Sequence, residues 1–278
     1  MVTKKLAPQK ASKRAISAKK KPVRKPVRRK KVNWKWKVSP WLVAGLFLAL
    51  AAAVLYPYFR HGNFASEGAA VPEHAHAFCV DLSHHNTGIV WDSLKVVVDR
   101  NGNTTKDLLR AKAIFPVSTV ILKATEGEKL ADRKFVEYWE EAGKRSYPRG
   151  AYHFFRSSRN AERQAQNYIS KVNLRHSDLP PILDVETMHE GCTKQDLNDR
   201  VLVWLKTVEK HYGRTPIIYT SDSFARDILS PDITQHYPMW IARYNKDEPK
   251  FKSWTMWQIT DKAVLYGVSG YVDLSVIQ

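Results

Sequence analysis

Asp184 and Glu186 stand one residue apart at the end of the apolar run PPILDVETM, residues 180–188. In a strand, residues i and i+2 face the same side with Cα atoms roughly 6.5–7 Å apart. The spacing therefore aims two carboxylates into one space at the end of a buried element. Like charges held that close raise the pKa of one of them. A site that tolerates this has a use for one carboxyl protonated beside another that is ionised.

The elements that must position such a pair can be read from the same apolar runs. From residue 78 onward the candidate strands are AFCVDL, TVILKA, GAYHFF, PPILDVE, TPIIYT, PMWIAR, WTMWQI and GYVDLS. Helical patterns follow the first five, around Trp91–Leu109, Asp132–Ser146, Asn160–Asn173, Thr193–Tyr212 and Asp222–Leu229. Thr193 with Asp196 has the spacing of a capping box with Asp in the third position. Strands alternating with helices predict an α/β fold with a parallel sheet. Eight strands in about 200 residues predict a closed TIM-like barrel, the last three strands following without long helices; an open doubly wound sheet is the alternative.

In such a barrel the C-terminal strand ends build the active site. That places Asp81 at the end of the first strand, Lys123 the second, His153 the third, Asp184 and Glu186 the fourth, Tyr219 the fifth and Asp273 the eighth. A single acid at a strand end is ordinarily a cap or a turn residue. Four acids in one register on apolar strands suit either hard-cation binding or glycoside hydrolysis. Calcium sites usually draw several oxygens from one flexible loop turning on Gly, and no such loop stands out. Glycosidases need one protonated carboxylic acid and a second group at the oxocarbenium-like centre. Tyr152, Phe154, Tyr219, Trp240, Tyr244 and Trp257 near the strand ends offer platforms for sugar rings, although aromatics also fill barrel cores. Nothing in the pattern calls for a cofactor or a metal.

These segments carry a resemblance. CVDLSHHNTGIVWDSLK, VILKATEGEKLADRKFVEYWEEAGKRSYPRGAYHFFR, PPILDVE, PIIYT, MWIARY and MWQIT are similar, in order and spacing across residues 78–278, to family 25 glycoside hydrolases, the N-acetylmuramidase (lysozyme-type) family. The combination of K-A-T-E-G, Y-H-F and D-x-E is specific, whereas D-x-E alone is weak. The resemblance implies an irregular TIM-like barrel of (β/α)5β3 type and cleavage of the β-1,4 bond after N-acetylmuramic acid in peptidoglycan. It implies Glu186 as general acid, Asp184 as the acid facing the sugar's 2-acetamido group, and Asp81 and Asp273 as the remaining active-site acids. Lys123, Tyr152 and Tyr219 match positions lining the sugar groove. Participation of the acetamide in the reaction and attack by a carboxylate such as Asp273 both remain open. A catalytically weak glycan-binding barrel is the alternative function. The segment VVVDRNGNTTKDLLRAKAIFP is longer than is usual in the family, so an altered rim loop is expected.

The remaining chain is organised by charge. Of the 45 Lys and Arg among 278 residues, 16 lie in residues 1–38, which hold no acid, while all 27 acids lie beyond residue 66. The high pI of about 9.8 therefore describes a tail, and the rest is nearly neutral. Residues 1–38 are expected to be a disordered cytoplasmic tail. Residues 39–60 contain the charge-free run 41–59, about 28 Å long as a helix, with Trp41, Tyr56 and Tyr58 at its ends. It reads as a single-pass signal-anchor in contact with membrane lipid, placing everything after Arg60 outside the cytoplasm of a bacterial cell; a cleaved signal peptide is the competing reading. A basic run beside a span is more often a topology or lipid signal than a nucleic-acid site, so no nucleic-acid partner is expected. Residues 61–77 read as a linker and 78–278 as the barrel. Cys79 reads as a core residue, with no disulfide predicted to Cys192. A monomer acting on peptidoglycan glycan strands is the expectation.

Overall fold

The computed structural model describes residues 68–278 apart from Lys246. The basic tail, the apolar run 41–59 and the first part of the expected linker lie outside the described residues. Among the described residues no helix is long and apolar enough to cross a membrane.

The strands are β1 (Phe78–Leu82), β2 (Lys95–Asp99), β3 (Ala111–Glu126), β4 (Leu130–Ala131), β5 (Arg149–Phe154), β6 (Ile182–Asp184), β7 (Ile217–Ser221), β8 (Met239–Ala242), β9 (Trp254–Ala263) and β10 (Val272–Ile277). Eight of them close a barrel in the order β1, β3, β5, β6, β7, β8, β9, β10 and back to β1. Each of the eight expected strand segments contributes one staple of this barrel. Neighbours are parallel from β1 through β9, but β10 runs antiparallel to both β9 and β1. The short 264–271 connection leaves no length for a crossover, so the chain simply reverses.

Four of the five expected helices form: α1 (Phe135–Lys144), α2 (Ala161–Lys171), α3 (Lys194–Tyr212) and α4 (Asp222–Asp227), with a further short α5 (Pro231–Thr234). The capping box is present as read, Thr193 accepting from the Asp196 N–H and the Asp196 carboxylate accepting from the Thr193 N–H. Gly213 ends α3 in the left-handed region at φ 64°, where a Cβ is strained.

The helix expected over Trp91–Leu109 does not exist. A single 3₁₀ turn (Trp91–Ser93) leads into β2, which pairs antiparallel with the start of β3. Three consecutive valines, Val96 to Val98, favour a strand because β-branched side chains crowd a helix. The turn that follows is made by Asp99, whose side chain accepts from the Asn101 and Asn103 N–H groups, and by Gly102 at φ +80°. This hairpin takes the place of the first helix, with Val96 and Val98 joining the same core as Phe78, Val80 and Leu265. It sends no residue into the barrel mouth, so the expected change to a rim loop is not found. The hairpin also holds the end of the expected linker: Val71 N–H donates to Gly102 O and Thr104 N–H to Ala69 O, each at 2.9 Å.

Two apolar layers result. Cys79, Ile121, Ile182, Tyr219, Trp240 and Met256 fill the barrel lumen, and the outer faces of the strands pack against the helices and the hairpin. Cys79 is a free, buried lumen residue, and Cys192 is also free. Below β5, Arg149 and Asp178 form an ion pair at 2.8 Å, each side chain only 4% exposed, with the guanidinium 4.0 Å from the Trp139 ring centroid.

Candidate active site

The C-terminal ends of the parallel strands and the start of β10 enclose a cleft of about 280 Å³. All four expected acids line it. Asp81 and Asp273 lie directly opposite each other in the β1–β10 pairing. Asp273 is not at the end of a parallel eighth strand, as its expected position required. It is the second residue of an antiparallel one, and the reversal of β10 is what brings it to this rim. Burial pushes the Asp81 carboxyl well above the usual range, and the Asp273 charge and hydrogen bond push it further. Asp273 is raised as well, chiefly by burial, while its hydrogen bond to Asp81 opposes the shift.

On the facing wall, Asp184 is buried, and among the described residues its Oδ1 has no hydrogen-bond partner. Its carboxyl is held well above the usual range, first by burial and then by the charge of Glu186. The i, i+2 reading holds: Val185 packs outward in the core while Asp184 and Glu186 both face the cleft. Glu186 lies past the end of β6, on the exposed rim. Desolvation raises its pKa, the neighbouring Tyr219 hydroxyl opposes that, and the Asp273 charge adds to it. Lys123 tempers both acids, since its positive charge lowers the pKa of each.

A single amide ties the remaining polar groups together. Gln258 Oε1 accepts from the hydroxyls of Tyr219 and Tyr244, each at 2.7 Å, and Gln258 Nε2 donates to Asp81 Oδ2 at 3.0 Å. Two hydroxyl donors on the oxygen leave the nitrogen facing the carboxylate, which fixes the amide's orientation. Tyr152 lines the cleft, its phenol pushed well above its usual range by burial and by the surrounding acids. Trp240 forms the floor at 2% exposure, its Nε1 donating to Ser275 Oγ at 3.0 Å and its ring meeting Tyr219 edge-on at 4.6 Å.

Two residues placed at the rim by the sequence are elsewhere. Trp257 does not line the cleft. It points outward between Met256 and Gln258, packs against Trp254 at 6.0 Å and donates from Nε1 to Arg243 O at 2.8 Å. Strand alternation excludes it, because its neighbours on both sides face the lumen. His153 is fully buried, stacked on Trp204 at 5.6 Å and hydrogen-bonded to Thr125 and Gln164. Burial lowers its pKa to about 4, so it is a neutral core residue. Gln258, Asp261, Ser83 and His85, which the strand-end pattern does not single out, also line the cleft. The signal for Gln258 was a polar residue inside the apolar strand MWQI. Among the described residues no group of three or more His, Cys, Asp or Glu is disposed to hold a metal ion.

Carboxylates paired at the mouth of a barrel suit glycoside hydrolysis. The profile of Glycosyl hydrolases family 25 matches residues 80–268, and the chain belongs to that family. It is 38% identical over 157 residues to the Escherichia coli (strain K12) protein YegX, covering 56% of this chain and 57% of that one. To Lysozyme M1 of Streptomyces globisporus it is 25% identical over 209 residues, covering 70% and 65%. The chain thus spans a little over half the length of the YegX relatives. Among solved structures, a family 25 glycosyl hydrolase from Bacillus anthracis superposes with a TM-score of 0.62 at 26% identity, covering 76% of this chain and 93% of that one. A bacterial lysozyme from Streptomyces coelicolor, at 23% identity and TM-score 0.60 over 74% and 94%, shares the fold.

Proposed function

We propose that this protein is an N-acetylmuramidase that hydrolyses the β-1,4 bond between N-acetylmuramic acid and N-acetylglucosamine in peptidoglycan. The observation that carries the reading is the pair of unlike acids on one wall: Glu186 exposed on the rim, Asp184 buried with an unpartnered oxygen. Glu186 can reach a glycosidic oxygen arriving from solvent, and its raised pKa keeps a proton available for that leaving group. Asp184 offers Oδ1 to a donor that the described residues do not supply. The N–H of a 2-acetamido group is such a donor, and accepting it favours the ionised carboxylate. Thus held, the acetamide oxygen is turned toward C1, where it attacks as the glycosidic oxygen takes its proton from Glu186. Water then opens the oxazolinium, with Glu186 now acting as base. Gln258 holds Asp81, and Asp81 holds Asp273, so the far wall is ordered without a further cation. Lys123, Tyr152 and Tyr219 line the groove for the sugar, with Trp240 beneath.

The test is the chemistry of the new end. Full-length protein should solubilise peptidoglycan and release fragments whose borohydride-reduced terminus is N-acetylmuramic acid. Reduced N-acetylglucosamine ends, or no release from several wall types, would refute it. We also propose that residues 41–59 anchor the chain in a bacterial membrane with the barrel outside the cytoplasm. Support comes from the charge-free run that follows a tail of 16 cations. A reporter active only outside the cytoplasm, fused after Gln278, should be active in the membrane fraction; a soluble active form beginning near Ala52 would show a cleaved signal.

A further inference from the structure

Beyond Lys123 the cleft is bounded by a built seam. Glu126 Oε2 accepts from Lys123 Nζ at 2.6 Å, and Glu126 Oε1 accepts from Arg156 Nε at 2.9 Å. Both cations lie over the Phe154 ring, 5.0 and 4.6 Å from its centroid. Past the seam, a depression bordered by His84, Leu130, Asp132 and Arg133 shares Glu126 and Leu130 with a groove between residues 126–130 and 156–159. That groove has a volume of about 430 Å³.

The acids of this surface are engaged. Glu126 holds Lys123 and Arg156, Glu128 accepts from the Asn160 N–H and faces Arg163, and Asp132 holds His84 at 2.6 Å. The cations Lys129, Arg133 and Arg159 are exposed, and among the described residues none has a carboxylate within 4.0 Å. Opposite, the cleft is walled by Asp81, Asp273 and the exposed Asp261. An anion leaving the cleft is therefore repelled on one side and attracted on the other.

We infer that this groove binds the acidic peptide carried by the sugar in the cleft, so that the protein favours peptide-bearing glycan over bare strands. The inference rests on the muramidase reading. N-acetylmuramic acid carries its lactyl-peptide on O3, one ring carbon from the acetamide that Asp184 would face. The peptide therefore starts inside the cleft and must cross a rim, and it bears free carboxylates. Lys129, Arg133 and Arg159 are the exposed, unpaired cations beyond the seam that Lys123 and Arg156 form. Recognition of this kind is electrostatic and screened by salt.

The experiment compares peptide-bearing glycan with the same strands stripped by an amidase, using the full-length protein and the triple variant Lys129→Glu, Arg133→Glu, Arg159→Glu. Wild type should show the lower KM on peptide-bearing strands, and the variant should raise that KM roughly tenfold while leaving the stripped strands unchanged. The milder set Lys129→Gln, Arg133→Gln, Arg159→Gln should fall between, and the difference between substrates should vanish near 1 M salt. Equal KM for both substrates in wild type, or an equal rise on both in the variants, overturns the inference. If neither substrate is cleaved, the muramidase reading itself fails. Calorimetry with a free Ala-Glu-containing stem peptide then decides the groove: saturable binding lost in the variant supports it, and no binding overturns it.

Discussion

Replacing Asp184 by Asn should make the protein more stable and less active, and the gain should depend on pH. Asp184 is buried, its Oδ1 has no partner among the described residues, and Glu186 adds a like charge beside it. An unsatisfied buried polar group costs about 1–3 kcal/mol, more when charged. The amide keeps the shape and an unpartnered oxygen but removes the charge, so the part of the cost that the charge adds, about 1–3 kcal/mol, should be recovered at pH 8. For a domain of this size that is roughly 2–12 °C in Tm. The sign follows from the raised pKa. The folded chain keeps the Asp184 proton over a range in which the unfolded chain has released it. Its contribution to stability is therefore full below the ordinary aspartate range and is lost as pH rises through the folded-state value. At pH 3 both forms are neutral and the two proteins should melt together; at pH 8 the Asn form should melt higher. Tryptophan fluorescence of full-length protein, heated at both pH values, measures this. A Tm for Asp184→Asn below wild type at pH 8, or the same gap at both pH values, would refute the reasoning. Glycan hydrolysis should fall about 10²–10³-fold in the same variant, since charge stabilisation at the reacting centre is lost.

Glu186→Gln should lower glycan hydrolysis by about 10²–10⁴-fold while glycan binding persists; an aryl N-acetylmuramide, whose leaving group needs little protonation, should partly rescue it and hardly rescue Asp184→Asn. Equal rescue of both would mean the two roles are misassigned. Gln258→Leu releases the Tyr219 hydroxyl, now donating to Gln258, to donate to Glu186 instead; the ionised carboxylate gains, the pKa of Glu186 falls, and the alkaline limb of the kcat/KM profile should move to lower pH. A limb that stays put or rises contradicts this. Asp178→Ala leaves the buried Arg149 charge without its partner and should cost about 3–5 kcal/mol, seen as a lower Tm, with kcat per folded molecule unchanged.

The strand segments, four of the helices and the pairing of Asp184 with Glu186 were legible in the sequence because each rests on local information. Apolar runs of strand length, a Thr193–Asp196 cap and an i, i+2 pair of acids mean the same thing wherever the chain goes next. The first crossover carries a strand signal in its valine triplet and a turn signal at Asn101–Gly102, both at odds with the helix that strand–helix alternation predicts there. What only the tertiary structure decided is which way the elements face. Barrel strands are buried on both sides, so Trp257 and Gln258 sit in one unbroken buried run and nothing local tells lumen from outer layer. Closure decides it, sending Gln258 into the site and Trp257 into the outer apolar layer. His153 fell to the same ambiguity, since the outer layer accepts a histidine once Thr125 and Gln164 satisfy its ring. The direction of β10 likewise depends on non-local pairing with both β9 and β1, and that reversal sets Asp273 against Asp81.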